Sequence, residues 1–192
     1  MFTEQSKKKR ASLRLLASRA DLDALNPGGI EVLGASRAAF TTQLGTTHHT
    51  LKRALTDQRI FAGIGNAYSD EILLAARLSP FNQAAKLKPE EADRLYAACQ
   101  NVLSEWVEIL RAKTGAKFPT KVTAFHEEMT AHGKYKVPCP VCAAPIQRIV
   151  YAENEANYCA KCQTEGRLLA DRSLSRLLKD SWPKKLEDLE NL

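Results

Sequence analysis

Two Cys-x-x-Cys pairs near the C-terminus restrict the fold of this chain more than any other feature of its sequence. They are Cys139 with Cys142 and Cys159 with Cys162, separated by 16 residues, and they use four of the five cysteines. Four thiolates at this spacing match a tetrahedral structural zinc site, in which four protein ligands leave no open position for a catalytic water. We therefore predict one structural Zn²⁺ ion, whose binding stabilises the surrounding segment.

Two disulfides or a redox-active Cys-x-x-Cys are the alternatives to zinc. Disulfides are typical of secreted proteins, but no apolar segment of a secretion signal follows the run Lys7-Lys8-Lys9-Arg10. A redox motif needs only one Cys-x-x-Cys pair, within a βαβ unit. The fifth cysteine, Cys99, is expected to be a small buried apolar side chain.

The segment between the cysteine pairs has the pattern of a β-hairpin. Residues 145–151 and 157–158 contain β-branched and aromatic residues, and the polar residues 153–155 lie between them as a turn. A hairpin flanked by two cysteine pairs is a zinc ribbon, and we predict one here.

The overall charge is moderately basic. In a chain of 192 residues, 28 lysines and arginines against 22 aspartates and glutamates give a formal net charge of +6. No stretch approaches the roughly 18 consecutive apolar residues of a transmembrane helix. These features exclude a membrane-spanning protein and favour an acidic partner such as nucleic acid.

Two glycines and an asparagine, Gly63-Ile64-Gly65-Asn66, stand directly before or at the start of an apolar helical run. Glycines let a phosphate approach the free N–H groups at a helix N-terminus closely, and the asparagine amide adds a donor. The alternative is a helix corner in which Gly65 only packs closely. The third glycine of a dinucleotide-binding fingerprint is missing. We expect Asp70 and Glu71 to be ordinary acids of the first helical turn.

Further helices are predicted from their caps and from apolar residues at three- or four-residue spacing. They begin at Ser36, at Thr46 or Thr47, and at Pro89, and the last of them extends to about residue 112. The sequence also suggests a strand at residues 11–16 and an amphipathic helix in the C-terminal tail that packs back on the body.

These elements resemble a known family. Residues 57–71 are similar to the helix-two-turn-helix signature of the formamidopyrimidine-DNA glycosylase and endonuclease VIII family, and residues 139–163 are similar to its terminal zinc finger. The resemblance implies a mainly α fold with a small β zinc ribbon. It implies an N-terminal β-sandwich remnant at 1–33, a helix-two-turn-helix domain at 34–125, a zinc ribbon at 126–166 and a helical extension at 167–192.

The resemblance also implies base excision repair on double-stranded damaged DNA. In the family's pattern Gly65 and Asn66 hold a phosphate beside the lesion and the zinc hairpin grips the duplex. Lys52, Arg53 and Arg148 are further candidates for phosphate contacts, from their charge and position. The expected protein is a monomer in the cytoplasm, associated with the nucleoid if the cell is bacterial.

Two positions depart from the family's pattern. The family's bifunctional glycosylase and lyase activity uses an N-terminal proline followed by a glutamate, whereas Phe2 stands here, and we assign no catalytic residue. The family usually carries an arginine five residues before the third cysteine. Asn154 stands there, and it is expected to donate one hydrogen bond to DNA without the charge of a guanidinium group.

Three hypotheses about function follow. The first is the DNA-binding part of a glycosylase/lyase whose catalytic N-terminal domain is missing through truncation or a misplaced start codon. The second is a short paralogue that binds damaged or bent DNA without cutting it. The third is a zinc-ribbon module for structured RNA or for a protein partner.

Overall fold

The computed structural model describes residues 12–116, 126–151, 154–170 and 172–191. Helices dominate, and the strands are short, which confirms the predicted fold class. In chain order, the helices and strands of the described residues are α1 (Arg19–Asp23), β1 (Ile30–Glu31), α2 (Arg37–Gly45), α3 (Leu51–Thr56), β2 (Phe61–Ala62), α4 (Asn66–Ala76), α5 (Pro89–Thr114), β3 (Ile146–Tyr151), β4 (Asn154–Cys159), α6 (Ala160–Thr164) and α7 (Arg172–Leu178).

Helices α2 to α5 enclose the main hydrophobic core. The side chain of Ser36 caps α2 by accepting a hydrogen bond from the N–H of Ala39, and Pro89 occupies the first turn of α5, as predicted. The rings of Phe40 and Phe61 stack at 4.7 Å between centroids. Helix α3 begins later than predicted, after Thr50. The fully buried side chains of this core include Phe40, Leu44, Leu51, Leu55, Phe61, Ile64, Ile72, Leu73, Leu95 and Cys99.

The described part of the N-terminal segment, from residue 12 onward, contains little β structure. The prediction of a strand at 11–16 is wrong for the described residues 12–16, which have no regular structure and are exposed to solvent. Within residues 12–34, which the structure describes, β1 is the one strand, and it pairs in parallel with β2. The chain approaches β2 closely here, because the N–H of Gly29 donates to the carbonyl oxygen of Gln58 at 3.1 Å.

Strands β3 and β4 form the predicted antiparallel hairpin of the ribbon, with Ile146 opposite Cys159 and Tyr151 opposite Asn154. The hairpin packs against α4 through a small cluster in which Leu74 meets Ala131 and Ile146. The zinc-binding segment and the helical body therefore share a packed surface along α4.

The C-terminal tail packs on the hairpin through Leu168 and Leu169, which precede α7 and are not part of a helix. These two side chains are buried against Ile149 and Tyr158, and the N–H of Leu169 donates to the hydroxyl of Tyr158 at 2.8 Å. In contrast, Leu177 is 77% exposed, so α7 itself covers little of the body. Among the described helices, none is both long enough and apolar enough to cross a bilayer.

Candidate nucleic-acid interface

The four paired cysteines meet at one end of the hairpin. Their Sγ atoms all lie within 4.8 Å of one another, and the distances are 4.0 Å between Cys139 and Cys162 and 3.4 Å between Cys142 and Cys159. Sulfurs around one tetrahedral zinc with bonds of about 2.3 Å are ~3.8 Å apart, whereas a disulfide bond is about 2.05 Å long. The four cysteines are therefore positioned to bind one Zn²⁺ ion, and none of them forms a disulfide.

Backbone hydrogen bonds shape both cysteine pairs. At the first pair the N–H of Ala143 donates to the carbonyl oxygen of Cys139 at 2.8 Å. The N–H of Cys139 in turn donates to the carbonyl oxygen of Ala144, also at 2.8 Å. At the second pair Cys159 ends β4 and Cys162 lies in α6, and the N–H of Cys162 donates to the Sγ of Cys159 at 3.5 Å. Such N–H···S contacts orient sulfur ligands and stabilise their negative charge.

Burial makes two of the four thiols, Cys159 and Cys162, poor acids until a metal binds. Burial raises the pKa of Cys162 to about 11, and it also raises the pKa of Cys159. Zinc binds thiolates and displaces their protons. Zinc binding would therefore keep the sulfurs of Cys159 and Cys162 deprotonated at neutral pH.

The N-terminus of α4 is open to an anion. Gly65 is the N-cap residue, so no side chain caps the helix, and the preceding Gly63 has a φ of +81°. Gly65 is exposed and Asn66 is half-buried. A Cβ atom placed on either glycine would have no neighbour within 4 Å, so there is open space beside the loop. Free N–H groups and the positive end of the helix dipole favour a negative charge there.

The side chain of Gln58 holds this loop in place. Its Nε2 donates to the carbonyl oxygen of Ile64, and its Oε1 accepts from the N–H of Gly63, both at 2.9 Å. Gly63 and Ile64 lie outside any helix or strand, and the Gln58 amide group supplies the hydrogen-bond partners that such an element would otherwise provide. The loop is preorganised before any ligand arrives.

Lys52, one of the predicted phosphate contacts, points into the protein. Its Nζ donates to Oδ1 of Asp70 at 2.6 Å and to the carbonyl oxygen of Asn66 at 2.7 Å. Only 4% of the Lys52 side chain and 0% of the Asp70 side chain are exposed. Burial lowers the pKa of Lys52, and the neighbouring Asp70 carboxylate opposes that shift. A direct phosphate contact by Lys52 therefore does not fit this arrangement, because the ammonium group is already enclosed by protein acceptors.

Asp70 joins three separate parts of the chain. Its Oδ1 binds Lys52 of α3, and its Oδ2 lies 2.9 Å from Nδ1 of His132 and accepts from Nδ2 of Asn157 at 3.4 Å. His132 belongs to the segment before the first cysteine pair, and Asn157 lies in β4. The expectation that Asp70 is an ordinary acid of the first helical turn is therefore wrong, since it lies beyond that turn and is buried.

Glu71 is also buried, and it anchors the segment that leads into the ribbon. Its Oε2 accepts from the N–H and the hydroxyl of Thr130, and its Oε1 accepts from the N–H groups of Ala131 and His132, at 2.6 to 2.9 Å. Four donors stabilise the carboxylate away from water. Asp70 and Glu71, which are adjacent on α4, thus link the helical body to the zinc-binding part of the chain.

The other predicted contact residues lie at the surface or beyond what is described. Arg53 is exposed on α3. Arg148 is exposed on β3, with its guanidinium group 4.5 Å from the centroid of the Tyr135 ring and 3.8 Å from the Glu155 carboxylate. Asn154 begins β4, but its side chain lies outside the part that the structure describes.

Sequence reasoning missed Gln58, which braces the loop before α4. It also missed the residues that connect α4 to the zinc-binding part of the chain: Asp70, Glu71, His132 and Asn157. One signal was available for two of them. Asp70 and Glu71 directly precede the unbroken apolar run 72–76, which covers every side of the helix and is typical of a buried one.

Two segments of the chain match known protein families. Residues 33–118 match the formamidopyrimidine-DNA glycosylase H2TH domain, and residues 138–164 match the zinc finger found in FPG and IleRS. These ranges contain the open helix N-terminus and the four-cysteine site, respectively.

Curated relatives carry the same family name. The chain is 38% identical over 156 residues to an uncharacterized formamidopyrimidine-DNA glycosylase-like protein of Mycobacterium tuberculosis, covering 81% of this chain and 95% of the relative. It is 42% identical over 131 residues to formamidopyrimidine-DNA glycosylase of Thermus thermophilus, covering 66% of this chain and 49% of the enzyme. The chain thus spans about half the length of the glycosylases that it matches.

Solved structures share the fold. The crystal structure of MutM (Fpg) from Thermus thermophilus superposes with a TM-score of 0.61 at 34% identity, covering 74% of this chain and 56% of that one. A complex between Lactococcus lactis Fpg and DNA containing an abasic site superposes with a TM-score of 0.62 at 23% identity, covering 76% of this chain and 55% of that one.

Proposed function

The chain belongs to the formamidopyrimidine-DNA glycosylase family, and on that premise we propose that it binds double-stranded DNA at damaged sites, as the DNA-binding part of base excision repair. Its mycobacterial relative, matched over 95% of its length, carries the family name. The solved complexes of Lactococcus lactis Fpg contain DNA with an abasic site or a damaged base.

The observation that carries the proposal is the open N-terminus of α4. A helix start without a side-chain cap, preceded by glycines, attracts a phosphate group and lets it come close to the backbone. We assign the phosphate contact to the backbone at Gly65 and to the amide of Asn66. Phosphate contacts of this kind position a protein on a duplex but read no base.

Additional contacts come from Arg53 of α3 and from the ribbon. Arg53 is exposed, and in this proposal its guanidinium group approaches a second phosphate. Arg148 stacks on Tyr135, which presents its charge at the surface of β3. Asn154 lies at the start of β4 and is assigned a single hydrogen bond in a groove.

The net charge of +6 supports association with a polyanion. We propose that the protein acts as a monomer on duplex DNA in the cytoplasm, at the nucleoid in a bacterium. The glycosylases that it matches are about twice as long as the matched region. Base removal and strand cleavage are therefore not part of this proposal, and the domain boundaries at 33/34, 125/126 and 166/167 stay predictions.

A direct test compares nucleic acids of matched sequence and length. The zinc-loaded protein is titrated into fluorescein-labelled duplexes with and without one tetrahydrofuran abasic analogue, into single-stranded DNA and into A-form RNA, and fluorescence anisotropy gives the Kd. We expect the tightest binding to the tetrahydrofuran duplex, because a site without a base is easily bent and opened.

Two outcomes would contradict the proposal. Equal affinity for the tetrahydrofuran and intact duplexes would mean that the protein does not recognise damage. A preference for A-form RNA over both duplexes would favour an RNA-binding module instead.

A further inference from the structure

Four buried polar side chains connect the zinc ribbon to the first residue of α4. Asn157 in β4 and His132 before the ribbon contact Oδ2 of Asp70, and Lys52 contacts Oδ1 of the same carboxylate. All four are buried. We name this group the Asp70 cluster, consisting of Lys52, Asp70, His132 and Asn157.

The Asp70 cluster ends at the phosphate site. The second hydrogen bond of Lys52 goes to the carbonyl oxygen of Asn66, the first residue of α4. That carbonyl also accepts from the hydroxyl of Ser69 at 2.8 Å. The backbone of Asn66 is therefore held from inside the protein, while its side chain stands at the open helix N-terminus.

We propose that the Asp70 cluster positions Asn66 for phosphate binding, so that the zinc ribbon controls DNA affinity through this buried chain as well as by touching DNA itself. This inference rests on the proposed function. Lys52 and Asp70 act as positioning residues for Asn66. His132 and Asn157 contact the Asp70 carboxylate, so a shift of the ribbon changes the orientation of that carboxylate.

The physical basis is the geometry of one carboxylate. The two carboxylate oxygens of Asp70 bind donors from different parts of the chain. Lys52 is 18 residues away in sequence, His132 is 62 residues away and Asn157 is 87 residues away. Removing a donor from Oδ2 lets the carboxylate rotate in its buried site. Because Oδ1 holds the Lys52 ammonium, the Lys52 contact to Asn66 then changes as well.

His132 is a suitable position for a test, because a change of its side chain leaves its backbone hydrogen bond in place. Its backbone N–H binds Glu71, and that bond survives any change of the side chain. His132→Ala removes Nδ1, whereas His132→Asn places an amide nitrogen near the same position. His48→Ala is the matched control, because His48 is an exposed histidine.

The test is a double-mutant cycle on binding to the tetrahydrofuran duplex. We expect His132→Ala to weaken binding roughly ten-fold, the size of one hydrogen bond to a charged group. Combining it with Asn66→Ala should add no further loss, because both changes act on the same contact. His132→Asn should restore most of the affinity, and the salt dependence should stay unchanged, because no charge that contacts DNA is removed.

Zinc content and thermal unfolding are measured for every variant, so that an unfolded ribbon is recognised. If His132→Ala does not fold, Asn157→Ser replaces it, since this change withdraws the longer bond to Oδ2 and leaves the others. Wild-type affinity in a folded variant, or full additivity with Asn66→Ala, overturns the inference. Failure of the wild-type protein to bind any duplex would instead refute the proposed function.

Discussion

The ammonium group of Lys52 lies 2.6 Å from the carboxylate of Asp70, in a pair that is almost completely withdrawn from water. Removing one partner of such a pair leaves the other charge buried and uncompensated. The pair therefore has two roles in this molecule. It holds α3 against α4. Through Lys52 it also contacts the backbone of Asn66, the residue to which we assign the phosphate contact.

Lys52→Met should destabilise the protein by about 3–5 kcal/mol, because it keeps the volume of the side chain but leaves Asp70 without its cation. Urea denaturation of zinc-loaded protein measures the effect. Arg53→Met is the matched control one residue away, and its exposed position predicts a change within about 0.5 kcal/mol. Equal stabilities of the two variants would show that the buried pair is not important for folding.

Cys139→Ser and Cys162→Ser should each abolish stoichiometric zinc binding and unfold the ribbon, because three thiolates no longer complete the tetrahedral site. Zinc is counted with a colorimetric chelator, and hydrogen exchange of β3 and β4 reports the folding of the hairpin. Cys99→Ala serves as the control, since Cys99 lies in the core of the helical body. Full zinc content in either serine variant would refute the metal assignment.

Glu71→Gln should destabilise the protein by about 1–3 kcal/mol, because an amide nitrogen replaces one of the oxygens that accept from Thr130, Ala131 and His132. Hydrogen exchange should rise selectively at the amides of residues 130–132. Glu108→Gln, at an exposed position of α5, should leave both quantities unchanged. Unaltered protection of residues 130–132 in Glu71→Gln would contradict the anchoring role.

Gly29→Ala should cost about 1–3 kcal/mol through steric overlap. A Cβ atom at position 29 would lie 2.4 Å from the carbonyl oxygen of Gln58, the residue whose side chain braces the loop before α4. Gly45→Ala is the control, because its Cβ would meet nothing within 4 Å. Thermal unfolding compares the two variants, and similar midpoints would mean that β1 moves away from β2 without penalty.

The sequence predicted those helix starts and that hairpin whose position depends on residues close together in the chain. Ser36 and Pro89 mark helix starts by their own side chains, and the cysteine spacing predicts the ribbon by itself. The strand expected at 11–16 failed, because a strand needs a partner, and the described residues 12–16 have none.

The buried connections could not be predicted in the same way. Asp70 meets His132 and Asn157 across 62 and 87 residues, and no local pattern marks such a contact. The same limit explains Lys52, which follows Leu51 on a short helix and was predicted to contact a phosphate. Its direction depends on an acceptor 18 residues later in the chain.

The measurement that tests the central claim most directly is the affinity of Asn66→Ala for the tetrahydrofuran duplex at several salt concentrations. We expect roughly ten-fold weaker binding at every salt concentration and on every base sequence, with an unchanged salt slope, because a neutral phosphate contact is lost. Arg53→Ala should differ by reducing the slope by about one, and Asn101→Ala on the exposed face of α5 should bind as the wild type does. Wild-type affinity of Asn66→Ala, or a loss confined to one base sequence, would contradict the account.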